Sequence, residues 1–372
     1  MADIDITIIG AGIVGLAIVK ELSEKYESIV VVERHSSFGQ EASSRNSEVI
    51  HSGIHYPPGS LKANLCVEGN RMLYDICEKN GIGYEKLGKF TVATDEEEIG
   101  ILEDLKQRGE ENGVDGLVLY EPTEIKKIEP CVRAKLAIYS PSSGIIDSHG
   151  LMKHFADATK SKGALVVYNS EVTDIKKGNF GFKFKVKNSD GTTEDFTTKI
   201  LINSGGLDSD KIAEMAGIDM DEAGYRLHPC KGDYFSWNKK SLNHLIYPVP
   251  EKFSIGIHAG LDLNHDIKFG PNAYFVNKID YGVESEKEEF YNSIRKYLPT
   301  IDINDLSPAM SGIRPKLQTQ DEDFRDFVIC HESERGLAGL INLVGIESPG
   351  LTAAPAIAKY LSETVDTVYN NL

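Results

Sequence analysis

The sequence predicts an α/β protein, α+β overall, in which a nucleotide-binding domain of the Rossmann type holds an inserted domain with an antiparallel sheet. Residues 4–10 (IDITIIG) are typical of a buried strand, residues 13–23 of a helix, and residues 28–33 (SIVVVE) of a second strand. Their order and spacing predict a βαβ unit near the start of the chain.

Later segments predict the antiparallel sheets. Residues 182–187 (FKFKVK) and 195–203 (DFTTKILIN) alternate in polarity and are joined by the turn Asp190-Gly191. Residues 230–276, rich in Tyr, Phe and Ile, predict a second antiparallel block. We therefore expect a discontinuous nucleotide-binding domain at residues 1–85, 145–215 and 310–372, and a substrate-binding domain at residues 86–144 and 216–309.

Composition limits the classes of partner. The 372 residues suffice for two cores, and a formal charge of -17 disfavours nucleic acid as a partner. An anionic membrane would repel such a chain on average, although a few clustered lysines leave peripheral association open. The sequence leaves the oligomeric state undecided.

Cysteine usage indicates a reducing environment. The five cysteines are scattered, odd in number and without a CxxC pair, so neither a disulfide framework nor a zinc site is indicated, and no metal is expected. The apolar run at residues 6–19 follows Asp3 and Asp5, which a signal peptide would not carry there. We therefore expect a cytoplasmic protein, free or peripheral at the inner face of a membrane.

A glycine motif lies between the first strand and helix of the βαβ unit. Gly10 permits the tight turn, Gly12 lets the backbone approach a pyrophosphate, and Gly15 lets helix pack on strand. Glu33, at the end of the second strand, is placed to bind an adenosine ribose hydroxyl. This pattern does not distinguish FAD from NAD. The predicted dinucleotide contacts are Gly10, Gly12, Ile13, Val14, Gly15, Glu33 and Arg34.

The next segment carries a resemblance that does distinguish them. Residues 43–53 (SSRNSEVIHSG) resemble the loop that runs past the pyrophosphate and isoalloxazine in the D-amino-acid-oxidase-like FAD superfamily. Residues 46–70 (NSEVIHSGIHYPPGSLKANLCVEGN) are similar to the L-2-hydroxyglutarate oxidase/dehydrogenase family within it. Similar motifs follow in order along most of the chain, including PSSGIIDSHG (141–150), LINSGGLDSDKIAEMAG (201–217), HPCKGDYF (228–235), IGIHAG (255–260), SGIRP (311–315) and ESPGLTAAPAIA (347–358).

The sequence departs from that family at two places. Glu48 stands where the family usually has glycine, so the geometry of this loop does not carry over from the resemblance. The stretch after Val276 is shorter than in several relatives, which affects the shape of the substrate entrance.

The resemblance implies non-covalent FAD and a set of contacts to it. The start of the last helix would stabilise the anionic edge of reduced flavin. His51 or Cys66 could carry a covalent link, but none is predicted. The implied contacts are Ser43, Ser44, Arg45, Asn46, Ser47, Val49, Val172 through its backbone to adenine, Gly205, Gly206, Arg314, Gly345, Glu347, Gly350, Leu351 and Thr352.

The resemblance also implies oxidation of L-2-hydroxyglutarate to 2-oxoglutarate. Such a reaction moves a hydride from C2 to flavin N5 while a base removes the hydroxyl proton, a task suited to histidine. We favour His51, whose loop would pass the reactive ring, with His258 second. His228 precedes a proline and is interpreted as structural.

Binding a carboxylate substrate requires a cation. Arg314 in SGIRP is the preferred candidate, since a guanidinium binds a carboxylate through two parallel hydrogen bonds. Lys231 is a second candidate, for the distal carboxylate of a dicarboxylic acid or for a water-mediated contact with flavin N5.

Other functions remain open at this stage. A glycerol-3-phosphate dehydrogenase or oxidase shares the superfamily, although a phosphate would demand more positive charge. A nicotinamide-dependent dehydrogenase and a non-catalytic flavin-binding protein are alternatives of other classes. For a flavoenzyme, the electron acceptor would be a quinone, another carrier or oxygen.

Overall fold

The chain forms two units. A computed structural model describes residues 2–250 and 256–371. Unit 1 comprises Met1–Ser44, Ser148–His228 and Arg314–Leu372, and unit 2 comprises Arg45–Asp147 and Pro229–Ile313. The pieces alternate along the chain, as expected for an inserted domain, but the boundaries differ from the predicted ones: residues 45–85, 145–147 and 310–313 lie in unit 2, and residues 216–228 in unit 1.

Strands and helices are interspersed along the chain, with several runs of consecutive strands. The strands are β1 (Ile4–Ile9), β2 (Ile29–Val32), β3 (Val49–Ile50), β4 (Tyr84–Glu85), β5 (Lys89–Ala93), β6 (Val118–Tyr120), β7 (Leu136–Ser140), β8 (Gly144–Ile146), β9 (Leu165–Val167), β10 (Ser170–Gly178), β11 (Gly181–Asn188), β12 (Thr193–Asn203), β13 (His228–Trp237), β14 (Leu245–Pro248), β15 (Ala259–Leu261), β16 (Ile267–Phe269), β17 (Tyr274–Phe275), β18 (Leu306–Lys316), β19 (Val328–His331) and β20 (Leu340–Val344). The helices are α1 (Ile13–Leu22), α2 (Leu61–Asn80), α3 (Ile99–Glu111), α4 (Pro122–Ile128), α5 (Ser148–Ser161), α6 (Ser209–Met215), α7 (Met220–Ala223), α8 (Lys287–Tyr297) and α9 (Gly350–Asn371).

Unit 1 contains the predicted Rossmann-like arrangement. Strands β9, β2, β1, β12 and β20 are neighbours in that order and pair in parallel. The chain passes from β1 to its neighbour β2 and then to β9, before returning to the other side of β1 as β12, which is the order of a nucleotide-binding sheet. Strands β10 and β11 extend it in antiparallel fashion from β12.

Unit 2 contains the predicted antiparallel block. Its large sheet has the order β17-β13-β16-β15-β14-β5-β7-β6, and β14 pairs with β5 in parallel. Residues 251–255 of the predicted block, including the start of the IGIHAG motif, lie outside the described residues. A buried apolar cluster on this sheet includes Phe90, Phe235, Phe269 and Phe290.

The predicted βαβ unit holds with slightly shorter elements, since β1, α1 and β2 end at Ile9, Leu22 and Val32. Helix α2 is followed by Gly81, which takes the left-handed conformation and ends the helix. Helix α3 begins at Ile99, because the Glu98 carboxylate accepts the Thr94 N–H at 2.6 Å and holds the preceding residues in a turn. Strand β10 was not predicted, since its charged residues obscure the alternation. Within the described residues, no helix is both long and apolar enough to cross a membrane.

Candidate active site

The turn between β1 and α1 is built for close backbone contact. Gly10 has φ 101, and a Cβ there would lie 2.7 Å from the Ser204 carbonyl oxygen. A Cβ on Gly15 would lie 2.1 Å from the Gly10 carbonyl oxygen, so only glycine permits α1 to approach the strand. Gly12 is the N-cap of α1 and has no side chain to cover the helix end. The turn therefore adds no side chain at position 12 between the helix N-terminus and an approaching anionic group.

Two side chains hold this turn in place. The Glu33 carboxylate accepts the N–H of Ala11 at 2.7 Å and of His35 at 2.8 Å, which fixes the end of β2 beside the glycine turn. The Ser43 hydroxyl accepts the N–H of Ile13 at 3.0 Å. Each carboxylate oxygen of Glu33 keeps a further acceptor site for a ribose hydroxyl.

Other predicted contacts in unit 1 have partners of their own. The Arg34 guanidinium pairs with Glu41 and Asp208, so its charge is compensated. Gly205 directly follows Ser204, the residue whose carbonyl packs on Gly10, and its N–H donates to Asn203 Oδ1 at 3.1 Å. The Ser44 hydroxyl donates to the Gly39 carbonyl, and Val172 is buried in β10 beside an irregularity in the pairing of that strand with β11.

The C-terminal segment of unit 1 forms the predicted loop before a helix. Gly345 has φ 72, and a Cβ there would lie 2.5 Å from Leu317 Cδ1. The buried Glu347 carboxylate pairs with Lys316 at 3.3 Å. Helix α9 begins at Gly350, which places Leu351 and Thr352 in its first turn. Arg314, in β18, is half-buried and belongs to the same unit.

The predicted flavin loop from Arg45 onward belongs to unit 2. Glu48 has φ 55, so it adopts the left-handed conformation for which the glycine of the family is suited. Its N–H donates to Asn46 Oδ1 at 2.8 Å and its carbonyl accepts the Ile146 N–H at 3.0 Å, two bonds that hold this conformation. The Arg45 guanidinium lies 4.0 Å from the Tyr281 ring centroid. Ser47 leads from this turn into β3, whose first residue is Val49.

His51 follows β3 and is held by its backbone. Its carbonyl accepts Asn70 Nδ2 at 2.9 Å and the Cys66 thiol at 3.5 Å. Burial, with a smaller contribution from the Lys89 cation, lowers the pKa of His51 to about 3. The imidazole is therefore neutral at physiological pH, which is the protonation state that a general base requires.

The predicted candidate His258 and three residues that the sequence did not single out, Lys89, His55 and Tyr247, form a group close to His51 in unit 2. Lys89 Nζ is 3.0 Å from His55 Nε2 and 4.6 Å from the Tyr247 ring centroid. The rings of Tyr247 and His258 stack at a centroid distance of 3.8 Å and an interplanar angle of 16°. Burial lowers the pKa of Lys89 to about 8, and the pKa of His55 falls well below its ordinary value through burial and the Lys89 charge. A lysine starting the apolar strand KFTVA was the available signal for this group.

Lys231 is buried but has acidic partners. Its ammonium lies 3.0 Å from Glu284 and 3.6 Å from Asp280, both of which are exposed. Two carboxylates compensate its charge, so it offers less attraction to an anionic substrate than the sequence suggested.

The chain is similar to known flavoenzymes over nearly its whole length. The sequence profile of the family described as FAD dependent oxidoreductase matches residues 5–364. A mitochondrial L-2-hydroxyglutarate dehydrogenase of Arabidopsis thaliana is 37% identical, with 96% of this chain and 83% of the relative covered. The human enzyme of the same name is 31% identical, with 97% and 88% covered. A similar solved structure is that of a dithionite-reduced L-alpha-glycerophosphate oxidase from Mycoplasma pneumoniae with FAD bound. Its sequence is 28% identical, its TM-score is 0.86, and the match covers 98% of this chain and 94% of that protein.

The cytoplasmic location expected from the sequence is wrong on this comparison. The Arabidopsis and human relatives are both named as mitochondrial. The five cysteines are free in the structure, but free thiols indicate a reducing environment rather than one particular compartment.

Replacing Gly15 with alanine is expected to reduce bound flavin strongly. The new Cβ would collide with the Gly10 carbonyl and push α1 away from the turn. Flavin absorbance per chain in the purified protein measures the effect. Gly100→Ala is the matched control, because a Cβ at Gly100 meets nothing within 4 Å, and it should retain wild-type flavin content. Equal flavin in both variants would show that the close contact is dispensable.

The stability of the protein should fall as the pH drops below 6.5, in part because of His51. Its folded-state pKa of about 3 lies below the ordinary value of 6.5, so the unfolded chain binds an extra proton between these limits. This group alone contributes a loss of about 1.4 kcal/mol per pH unit in that window. The free energy of unfolding, measured in urea, should fall less between about pH 7.5 and about pH 5 in His51→Asn than in the wild type. The exposed His149→Asn is the control, and equal losses in all three proteins would contradict the assignment.

Proposed function

Because the chain belongs to the family of FAD-dependent oxidoreductases, we propose that it oxidises L-2-hydroxyglutarate to 2-oxoglutarate with non-covalent FAD as its cofactor. The observation that carries this proposal is the 37% identity to an L-2-hydroxyglutarate dehydrogenase over 96% of the chain. The human relative with that activity in its name supports it over 97% of the chain.

The residues of unit 1 fit a dinucleotide. Gly10 and Gly15 leave no room for side chains, Gly12 adds no capping side chain of its own at the start of α1, and Glu33 directly follows the second strand of the βαβ unit. These features suit a pyrophosphate and a ribose. Burial raises the pKa of the Cys66 thiol, which keeps it protonated and disfavours a covalent link to the flavin through this residue.

The reaction needs a hydride acceptor and a proton acceptor. A bound flavin would supply the acceptor for the hydride, which leaves C2 with both electrons of the broken bond. We assign the hydroxyl proton to the neutral imidazole of His51, with His258 as the alternative base. The Tyr247 ring stacked on His258 fixes the orientation of that imidazole. Arg314 is assigned to the carboxylate next to the reacting carbon.

Glycerol-3-phosphate oxidation is the second candidate. The likeness to the Mycoplasma glycerophosphate oxidase, at a TM-score of 0.86, favours it. A phosphate dianion concentrates two charges on one group, and the pairing of Lys231 with Glu284 and Asp280 makes that lysine less able to compensate them. A non-catalytic flavin-binding protein is the candidate of another class, but it would gain nothing from keeping a lysine and several histidines buried together.

The remaining partners follow from the chemistry. Turnover requires an acceptor for two electrons, and a quinone, another carrier or oxygen would serve. A membrane quinone would require the protein to associate with the membrane surface.

Anaerobic addition of L-2-hydroxyglutarate should bleach the flavin absorbance of the holoenzyme. The D-enantiomer is the matched control, since it presents the same charges with the C2 hydrogen differently placed. Glycerol 3-phosphate is added to a third sample. Bleaching by glycerol 3-phosphate alone would refute the proposed substrate and favour the second candidate.

Replacing His51 with asparagine should slow flavin reduction by about 10²- to 10⁴-fold, the range for losing a general base. Bound flavin should remain at the wild-type level, because the backbone carbonyl that Asn70 holds is unchanged. Stopped-flow absorbance at saturating substrate measures the rate. His154→Asn in α5 serves as the control for histidine removal. A wild-type rate in the His51 variant would transfer the assignment to His258.

A further inference from the structure

One face of the large sheet in unit 2 is polar although it is buried. Lys89 and Thr91 are two positions apart on β5 and so point to the same face of the sheet. Thr91 pairs with Tyr247 on β14. Tyr247 in turn stacks on His258, which precedes β15. The exposed fractions of these side chains are 1% for Lys89, 1% for Thr91, 0% for Tyr247 and 1% for His258. A buried sheet face is ordinarily apolar, so this row of polar side chains needs an explanation.

Within this row, the burial of the Lys89 ammonium costs the most free energy. Within residues 2–250 and 256–371, its ammonium has the His55 ring nitrogen and the Tyr247 ring as partners, and no carboxylate within salt-bridge distance. Lys231, equally buried at 1%, has Glu284 and Asp280. A buried cation without an anion is strongly unfavourable in a protein interior. Such a charge is retained where a ligand supplies the counter-charge.

Hydrogen-bonding groups around Lys89 are also unsatisfied. Among the described residues, the Tyr247 hydroxyl, the Thr91 hydroxyl and His55 Nδ1 are buried and have no hydrogen-bond partner. Burial keeps the Tyr247 hydroxyl protonated by raising its pKa, so it remains a donor. A cation and a neutral hydroxyl donor on one buried face match the oxygens of a carboxylate.

We propose that Lys89 binds the second carboxylate of a dicarboxylic 2-hydroxy acid, with the Tyr247 hydroxyl as a neighbouring hydrogen-bond donor. This rests on the proposed function, since it adds a residue that selects a dicarboxylic over a monocarboxylic substrate. Lys89 thus provides the second positive charge that Lys231, already paired with two acids, does not offer.

The test compares ligands of the holoenzyme that differ only in the presence of a second carboxylate. Glutarate and butyrate differ by one carboxylate, and neither has a hydroxyl to oxidise, so their dissociation constants can be measured by calorimetry without turnover. In Lys89→Met, glutarate should bind about 30-fold more weakly or worse, which is the usual loss when one member of a buried charge pair is removed. Butyrate should change by less than about threefold, because it lacks the second charge. The exposed Lys239→Met should behave as wild type with both ligands.

Substrate oxidation gives a second readout. The wild type should reduce its flavin faster with L-2-hydroxyglutarate than with L-2-hydroxybutyrate, and Lys89→Met should lose that preference. Without ligand, Lys89→Met should unfold at a temperature no lower than the wild type, because it removes an uncompensated buried charge. Lys89→Gln, neutral and similar in length, answers the same question if the methionine variant does not fold.

The outcomes separate the two proposals. If L-2-hydroxyglutarate bleaches the wild type and the Lys89 variants keep both its preference and its glutarate affinity, the role of Lys89 is refuted and the proposed function stands. If L-2-hydroxyglutarate does not bleach the wild type, the proposed function fails. The glutarate titration then decides the role of Lys89 by itself: a selective loss in the variant supports it, and an unchanged affinity refutes it.

Discussion

The contact on which unit 1 depends is the approach of α1 to the end of β1, where Gly15 lies against the carbonyl of Gly10. A Cβ at Gly15 would come within 2.1 Å of that oxygen, so the helix can pack there only without a side chain. Strand β1 pairs in parallel with β2 on one side and β12 on the other. The position of the helix N-terminus, which we propose as a pyrophosphate contact, is therefore set by the centre of the sheet.

Unit 2 buries polar and charged side chains as well as apolar ones. Its sheet packs apolar residues such as Phe90 and Phe235 in one cluster, yet it also carries Lys89 and Tyr247 in the interior. The desolvation that lowers the pKa of His51 to about 3 keeps that imidazole neutral. The same environment makes the Lys89 charge costly. Burying such groups lowers the stability of a protein, but in an interior of low dielectric constant their charges act more strongly on a ligand than they would in water.

The loop around Glu48 shows a residue other than glycine in the left-handed conformation. The resemblance noted in the sequence implies glycine there, and Glu48 nevertheless takes φ 55. The hydrogen bonds of its N–H to Asn46 and of its carbonyl to Ile146 hold a conformation that an L-residue seldom adopts. The hydrogen bonds with Asn46 and Ile146 thus maintain the turn that leads to His51, although glutamate itself does not favour this conformation.

The sequence by itself determined the features that depend on short-range pattern. The glycine spacing from Gly10 to Gly15 and the strand before Glu33 predicted the Rossmann-like unit, because each is a local requirement of backbone geometry. The segment at residues 230–276 predicted the inserted sheet, and the ordered motifs indicated the FAD family by resemblance. Only the tertiary structure decided which charges are compensated. Lys89 and Lys231 are both lysines in apolar strands, and nothing nearby in sequence distinguishes them; Glu284 and Asp280, about fifty residues from Lys231, reach its ammonium, whereas among the described residues no carboxylate reaches that of Lys89. Pairing of charges depends on distances across strands and loops that sequence pattern does not encode.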